Sequence, residues 1–237
     1  MSSSDVHMKP RNAYCRNALA RIGRDPALTL RVPGQGALSA DRASVEAFIH
    51  ERFAIRYGAR VRHFMPTLLQ LEDDAGTSHG AIGVRSAADE SLFLERYLDR
   101  PVETEIASHC GLIPGRERIV EVGNLAARGA GHARLLIVAL TAMLVSQGFD
   151  WVVFTGTPEV LNSFRRLDLR PLPLGKADPA RMGDELADWG SYYDTQPWVM
   201  AGNIRSGHER LVSMGVYQQL AYRPFFSLAG ELDVAVA

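Results

Sequence analysis

Residues 127–134 read Ala127-Arg128-Gly129-Ala130-Gly131-His132-Ala133-Arg134, a glycine-bearing loop between an apolar run and a long apolar-periodic segment. A loop that opens a helix presents unpaired backbone N–H groups at the positive end of the helix dipole. Gly129 and Gly131 permit close approach and positive φ, and Arg128 and Arg134 add cationic donors. This chemistry suits an anion, phosphate or pyrophosphate above all, with His132 as a further donor. The alternative is that the same glycines merely make a tight strand-to-helix turn. Neither a GxxxxGK[ST] loop nor a GxGxxG after the first strand is present, which argues against nucleoside triphosphates and dinucleotides. Glu121 stands in the apolar run Ile119-Val120-Glu121-Val122, where a bare carboxylate is costly. Burial would raise its pKa toward the range useful to a base, unless Arg85 or Arg118 pairs with it. Cys110, in Ser108-His109-Cys110-Gly111, has a neighbouring histidine that cannot easily fold back onto it. It is expected to be a buried structural thiol rather than a nucleophile.

The elements that must position these groups follow from periodicity. A helix is expected after Ser39-Ala40-Asp41, with Val45, Phe48, Ile49, Phe53 and Ile55 on its apolar face and its end at Tyr57-Gly58. Phe64 to Leu71 and Gly80 to Arg85 flank the turn Asp73-Asp74-Ala75-Gly76 and read as a hairpin. Pro101 opens a helix that stops at Gly111. Arg118 to Ala126 reads as a central strand, residues 132–147 as the strongest helix, and Trp151 to Thr155 as a second buried strand. Pro158-Glu159 starts a short helix. Beyond it, residues 170–174 are expected extended, 179–188 helical, Pro197 to Ile204 a strand, and His208 to Leu220 a last helix. Residues 1–28 are expected to be a flexible, mildly basic lead. The order implies an α/β (α+β) mixed central sheet flanked by helices. That divides the chain into a lead (1–28), one domain (29–205), and a C-terminal helix and tail (206–237).

Composition narrows the class. The chain has 237 residues, 46% of them hydrophobic and 22% charged, enough for a core without disulfides or metal. Lys and Arg number 26 against 27 for Asp and Glu, so no basic field points to nucleic acid. Cys15 and Cys110 form no CxxC pair, and the histidines lack metal-ligand spacing, so no metal is expected. No secretory leader or membrane-length apolar run is evident, and a cytoplasmic protein without stable membrane insertion is expected. The oligomeric state is left open by the sequence.

Arg128-x-x-Gly131-x-Ala133 resembles the Q/R-x-x-G-x-G/A loop of GNAT-type N-acyltransferases. In that superfamily the loop and following helix hold the pyrophosphate of acyl-CoA or the phosphopantetheine arm of an acyl carrier protein. The resemblance implies a GNAT-like core in which Ala126, Arg128, Gly129, Ala130, Gly131, His132, Ala133 and Arg134 bind the acyl donor. Asn162-x-Phe164 before Leu167-Asp168-Leu169 is similar to the superfamily's N-x-x-A-x-x-F-Y…G-F ending and adds Asn162 to that set. Arg165 stands near the tyrosine that often acts there as general acid, so that role does not carry over. Glu121-Val122-Gly123-Asn124-Leu125-Ala126 resembles the E-x-x-R-x-A strand of acyl-homoserine-lactone synthases and long-chain N-acyl amino acid synthases. Over residues 35–205, the segments YGARV, FMPTLL, LFLERYLDRPVE, RIVEVGNLAA, GFDWVVFTGT, LNSFRRLDL, WGSYYD and PWVMAGNI resemble the bacterial thermostable hemolysin family.

The implied reaction is acyl transfer from a carrier-protein or CoA thioester to a small amine or amino acid by direct attack, with no tightly bound cofactor. Amine acylation needs a base, donors for the oxyanion and a proton for the leaving thiol. Glu121 is the candidate base, and the backbone N–H groups of Leu125 and Ala126 would face the thioester carbonyl if this strand splays from its neighbour. Asn124 would position the acceptor or else cap the strand end, and Tyr193 or Tyr192 would be the acid or else pack beside Trp189. The hemolysin name offers a rival, a membrane-active cytolysin, with LAYRPFFSLAGELDVAVA as its only candidate amphipathic segment. A third reading is a non-catalytic binding module for pantetheine.

Overall fold

Leu68, Leu69, Leu71 and Ile82 are each at most 1% exposed, and they mark the middle of the sheet on which everything else is laid. The computed structural model describes residues 17–34 and 40–226. Its strands are β1 (Ala18–Ile22), β2 (Leu28–Arg31), β3 (Thr67–Glu72), β4 (Ser78–Ser86), β5 (Ile119–Ala127), β6 (Trp151–Gly156), β7 (Leu172–Lys176), β8 (Trp198–Asn203) and β9 (Arg223–Pro224). They form one sheet of order β7-β8-β6-β5-β4-β3-β2-β1-β9. Only β5 and β6 pair in parallel, because the helix between them carries the chain back across the sheet.

That helix, α3 (Ala130–Ser146), is apolar almost all round because it is covered twice. Leu136, Ala139, Leu140, Met143 and Leu144 pack on the sheet. Ile137 and Val138 pack outward with Leu167, Leu169, Leu211 and Val216, from α4 (Pro158–Arg166), α5 (Ile204–Ser213), α6 (Val216–Gln219) and the turn after α4. The opposite face of the sheet carries α1 (Ala40–Tyr57), α2 (Val102–Cys110) and three 3-10 segments, Phe93–Tyr97, Pro179–Trp189 and Tyr192–Thr195.

The expected hairpin, the helix ends at Tyr57-Gly58 and Gly111, and the strand–helix–strand through residues 119–156 are all present. Three expectations are corrected. Residues 18–22 are a strand rather than part of a flexible lead: Ala20 and Ile22 alternate into the core while Arg21 reaches out to Asp74. The basic side chains masked this period of two; residues 1–16 lie outside the described residues. The last helix begins at Ile204, where the Asn203 side chain accepts the Ser206 N–H at 2.9 Å. It then breaks at Gly215, whose φ of 65° ends α5 and restarts the chain as α6. Residues 179–189 are 3-10 turns bent at Gly183 rather than one helix.

Candidate active site

The strand β5 changes character halfway along. Its first residues, Ile119 to Val122, pair with β4 on one side and with Trp151 to Phe154 of β6 on the other. Pairing with β6 ends there, although both strands continue, so the sheet splays into a wedge beyond residue 122. At the same place the β4–β5 register slips by one residue, from Gly83↔Gly123 to Ala81↔Ala126. Asn124 takes up the slip at φ 51°, a conformation asparagine tolerates better than most residues. The bulge swaps the faces of the strand: Ile119 and Glu121 share the α1/α2 face with Ala126, while Leu125 turns to α3 with Val120 and Val122.

A cavity of about 550 Å³ follows the wedge. Glu121, Tyr57 and Phe93 wall it on one side of the sheet, and Leu125, Leu140 and Phe164 on the other. Phe154 and Phe164 stack with centroids 4.8 Å apart and line the β6 side.

Glu121 is 3% exposed. Its Oε2 accepts the Phe93 N–H and its Oε1 the Leu94 N–H, both at 2.9 Å. The carboxylate therefore satisfies the open N–H groups that begin the 3-10 segment. Burial raises its pKa above the ordinary glutamate value, and the two N–H donors and the charge of Arg85 partly offset this. Neither arginine suggested by the sequence pairs with it. Arg118 makes a two-pronged bond to Asp150 at 2.9 Å, and Arg85 lies 3.2 Å from Glu90.

Asn124 serves as a strap: its Oδ1 accepts the Met65 N–H at 2.8 Å and its Nδ2 donates to the His63 carbonyl at 3.4 Å. Glycine makes the close approach possible. A Cβ at Gly83 would lie 2.5 Å from Met65 Cβ, so residues 63–65 can be pressed onto the sheet only over a bare backbone.

The turn at the outer end of β5 is exposed from Arg128 to Gly131. Arg128 is fixed by its own N–H to the His79 carbonyl at 3.0 Å and by Nε to the Ser78 carbonyl at 2.7 Å. Gly129 precedes α3 with extended backbone and no side-chain cap, and the first turn contains no acidic residue. The N–H groups of Ala130, Gly131 and His132 thus begin the helix without carbonyl partners within it. A Cβ at Gly129 or Gly131 would meet nothing within 4 Å. Neither glycine adopts positive φ, so their contribution is open access rather than backbone freedom. Neither Arg128 nor Arg134 is ion-paired among the described residues. The His132 ring lies 5.0 Å from that of His79, with a buried Nδ1 that has no partner among the described residues. Burial, His79 and Arg128 all push its pKa down.

Two assigned residues lie elsewhere. Tyr193 is buried away from the cavity wall, its hydroxyl 2.6 Å from that of Tyr97, in the aromatic cluster with Trp189 and Tyr192. Burial and the Tyr97 hydrogen bond push its pKa far above the ordinary tyrosine value, and its ring packs against those of Tyr97, Trp189 and Tyr192. Asn162 points to solvent: Val160 and Phe164, four apart, take the inner face of α4 and leave Asn162 opposite. Cys110 is exposed, its Sγ donating to the Leu112 carbonyl at 3.3 Å, and is not a buried thiol. The Ala126 side chain is buried against the α1 cluster, leaving only its backbone to the wedge.

Sequence reasoning passed over Tyr57 and Arg85 as members of the cavity wall. Tyr57 is half-buried with its pKa raised by burial and moderated by a hydrogen bond to Thr157. Its place beside the helix-ending Gly58 is the only cue the sequence offered, and that cue speaks of capping.

The architecture matches solved structures at low sequence identity. FeeM, an N-acyl amino acid synthase from uncultured soil microbes, is 12% identical with a TM-score of 0.55, over 79% of this chain and 96% of that one. TofI, solved in a ternary complex with an inhibitor and MTA, is 13% identical with a TM-score of 0.52, over 76% and 96%. These likenesses establish a shared fold, the GNAT-like one. No curated protein matches the chain in sequence. A family model described as Thermostable hemolysin matches residues 36–208, and on that match the chain belongs to the thermostable hemolysin family.

Proposed function

We propose that this protein is an N-acyltransferase that moves an acyl group from an acyl-carrier-protein or acyl-CoA thioester to a small amine or amino acid. The observation that carries this reading is the second half of β5. One strand joins an exposed, acid-free helix start to a wedge-shaped cavity with a buried carboxylate at its inner end. From Leu125, past the end of β5 at Ala127, to Gly129 the chain spans at most roughly 13 Å, a separation suited to a donor with a phosphate at one end of a long flexible arm and a thioester at the other.

In this reading Arg128, Arg134 and the N–H groups of Ala130 to His132 hold the phosphate. The arm enters the wedge where β6 has left β5, and the apolar walls around Leu140 and Phe164 receive the acyl chain. The backbone N–H groups of Leu125 and Ala126, at the bulge, stabilise the oxyanion. Glu121 takes a proton from the acceptor's ammonium. The amine lone pair then forms the C–N bond, the C–S bond breaks, and the second proton of the attacking nitrogen passes, directly or relayed by water or the Tyr57 hydroxyl, to the departing sulfur, which leaves as the free thiol. Burial favours Glu121 in this role because a carboxylate with a raised pKa is a better proton acceptor near neutral pH.

Nothing described favours the cytolysin. No helix among the described residues is long and apolar enough to cross a membrane. Leu220, Tyr222 and Phe226, from the one candidate segment, pack against the main core, and its remainder lies outside the described residues.

Release of free thiol from a panel of acyl-CoA and acyl-carrier thioesters, with mixed amino acids and amines as acceptors, tests the reading. Acceptor-dependent release that falls on Arg128→Ala is expected. Binding of CoA and of pantetheine-loaded carrier without acceptor-dependent release would leave only a binding module.

A further inference from the structure

On the α1/α2 side of the wedge, a cation and an anion stand directly across a strand ladder without pairing with each other. Arg85 of β4 is the register partner of Glu121 of β5, and both side chains line the same cavity. Glu121 is committed to the Phe93 and Leu94 N–H groups. The Arg85 side chain makes no hydrogen bond among the described residues, and its buried Nε has no partner there. Its nearest acid is Glu90, with Nε and Oε1 3.2 Å apart in poor hydrogen-bond geometry. The Glu90 side chain is 56% exposed whereas that of Arg85 is 19% exposed. A partly buried guanidinium with five donors and one surface counter-ion has capacity left for a planar, two-oxygen ligand.

We propose that Arg85 is the binding residue for the carboxylate of the acceptor, which makes the acceptor an α-amino acid rather than a simple amine. The proposal rests on the acyltransferase reading for the name "acceptor", but the socket itself does not. A zwitterion matches the pair: its carboxylate forks onto Arg85 and its ammonium turns toward Glu121, two bonds away. That puts the nucleophilic nitrogen at the inner end of β5, just before the bulge at Asn124. Glu90 then acts as a displaceable counter-ion that holds the empty socket neutral.

The test is calorimetric binding of free L-amino acids, their decarboxylated amines and their des-amino acids to the full-length protein, alongside acyl transfer to the same compounds. Amino acids are expected to bind about tenfold or more tightly than either partial analogue, as expected for one charge-assisted contact. Arg85→Gln should remove that preference while leaving CoA binding intact, and Arg85→Lys should keep the charge but recover only part of the affinity. Glu90→Gln should strengthen amino-acid binding. Amines that bind and react as well as amino acids would overturn the proposal, as would unchanged amino-acid affinity in Arg85→Gln with CoA binding intact. Amino-acid binding through Arg85 without any thiol release would instead sink the acyltransferase reading and leave the socket standing.

Discussion

The two halves of β5 make an instructive pair. Residues 119–122 are paired on both sides and carry Ile119 and Val120, at most 1% exposed. Residues 123–127 keep one neighbour, contain a bulge, and border a cavity. The first half exists to be packed. The second gives up ladder pairing and regular conformation, the kind of local cost that folds retain where a ligand restores the balance. Glu121 sits at the boundary, buried as in the first half and facing the cavity as in the second.

Substitutions at that boundary should have the largest effects. Glu121→Ala is expected to lower kcat/KM for acyl transfer by about 10²–10⁴, the usual contribution of a positioned base. Glu121→Gln is not a neutral substitute, because both carboxylate oxygens accept N–H groups and an amide must turn its NH₂ against one of them. We expect it to cost about 1–3 kcal/mol in denaturant unfolding, independent of catalysis. The pH dependence has a definite sign. Folded Glu121 holds its proton to higher pH than unfolded Glu121. Its contribution to stability is thus full below the ordinary glutamate range and lost as pH rises through the raised value. Over the same interval acyl transfer should rise, since only the ionised form is a base. A rate limb at the ordinary glutamate pKa would break the assignment.

In the paired half, Ile119→Ala should cost about 2–5 kcal/mol of stability through the cavity it leaves, while leaving CoA affinity unchanged. In the splayed half, Asn124→Ala should cost less, about 1–2 kcal/mol, through the lost strap to Met65 and the αL conformation imposed on alanine. Its effect on turnover should exceed its effect on stability, because residues 63–65 wall the cavity. The smallest stability effect is expected for Arg128→Ala, whose exposed side chain makes one hydrogen bond among the described residues, to the Ser78 carbonyl. That variant should lose roughly tenfold in CoA affinity by titration calorimetry. Equal losses of stability in both halves would dissolve the contrast between them.

Much of the frame was legible in the residues. Apolar periodicity placed α3 and the strands on either side of it, and the glycines and arginines of residues 128–134 marked the helix start. The splay of the strand was anticipated only through the resemblance to GNAT-type enzymes, and the bulge was not legible at all, because a one-residue slip leaves no trace in hydrophobicity and asparagine at 124 reads equally well as a cap. The partner of Glu121 was invisible for a different reason. Backbone N–H groups of Phe93 and Leu94 have no side-chain signature, so the search for a compensating charge looked to arginines. Tyr193 was favoured over Tyr57 and Tyr97 because an aromatic run is conspicuous in a sequence, whereas burial order among tyrosines depends on which 3-10 segment covers which.

The edge formed by β1 and β9 also bears on how the protein can be handled. Arg223–Pro224 closes the outer side of β1, reinforced by the Phe225 N–H to the Leu19 carbonyl at 2.8 Å and the Gly23 N–H to the Leu220 carbonyl at 2.8 Å. Trimming the chain at Leu220 would therefore leave a naked strand margin carrying apolar Ala20 and Ile22, a template for end-to-end sticking between molecules. An affinity tag fused at the C-terminus with a cleavable joint belongs well past Phe226.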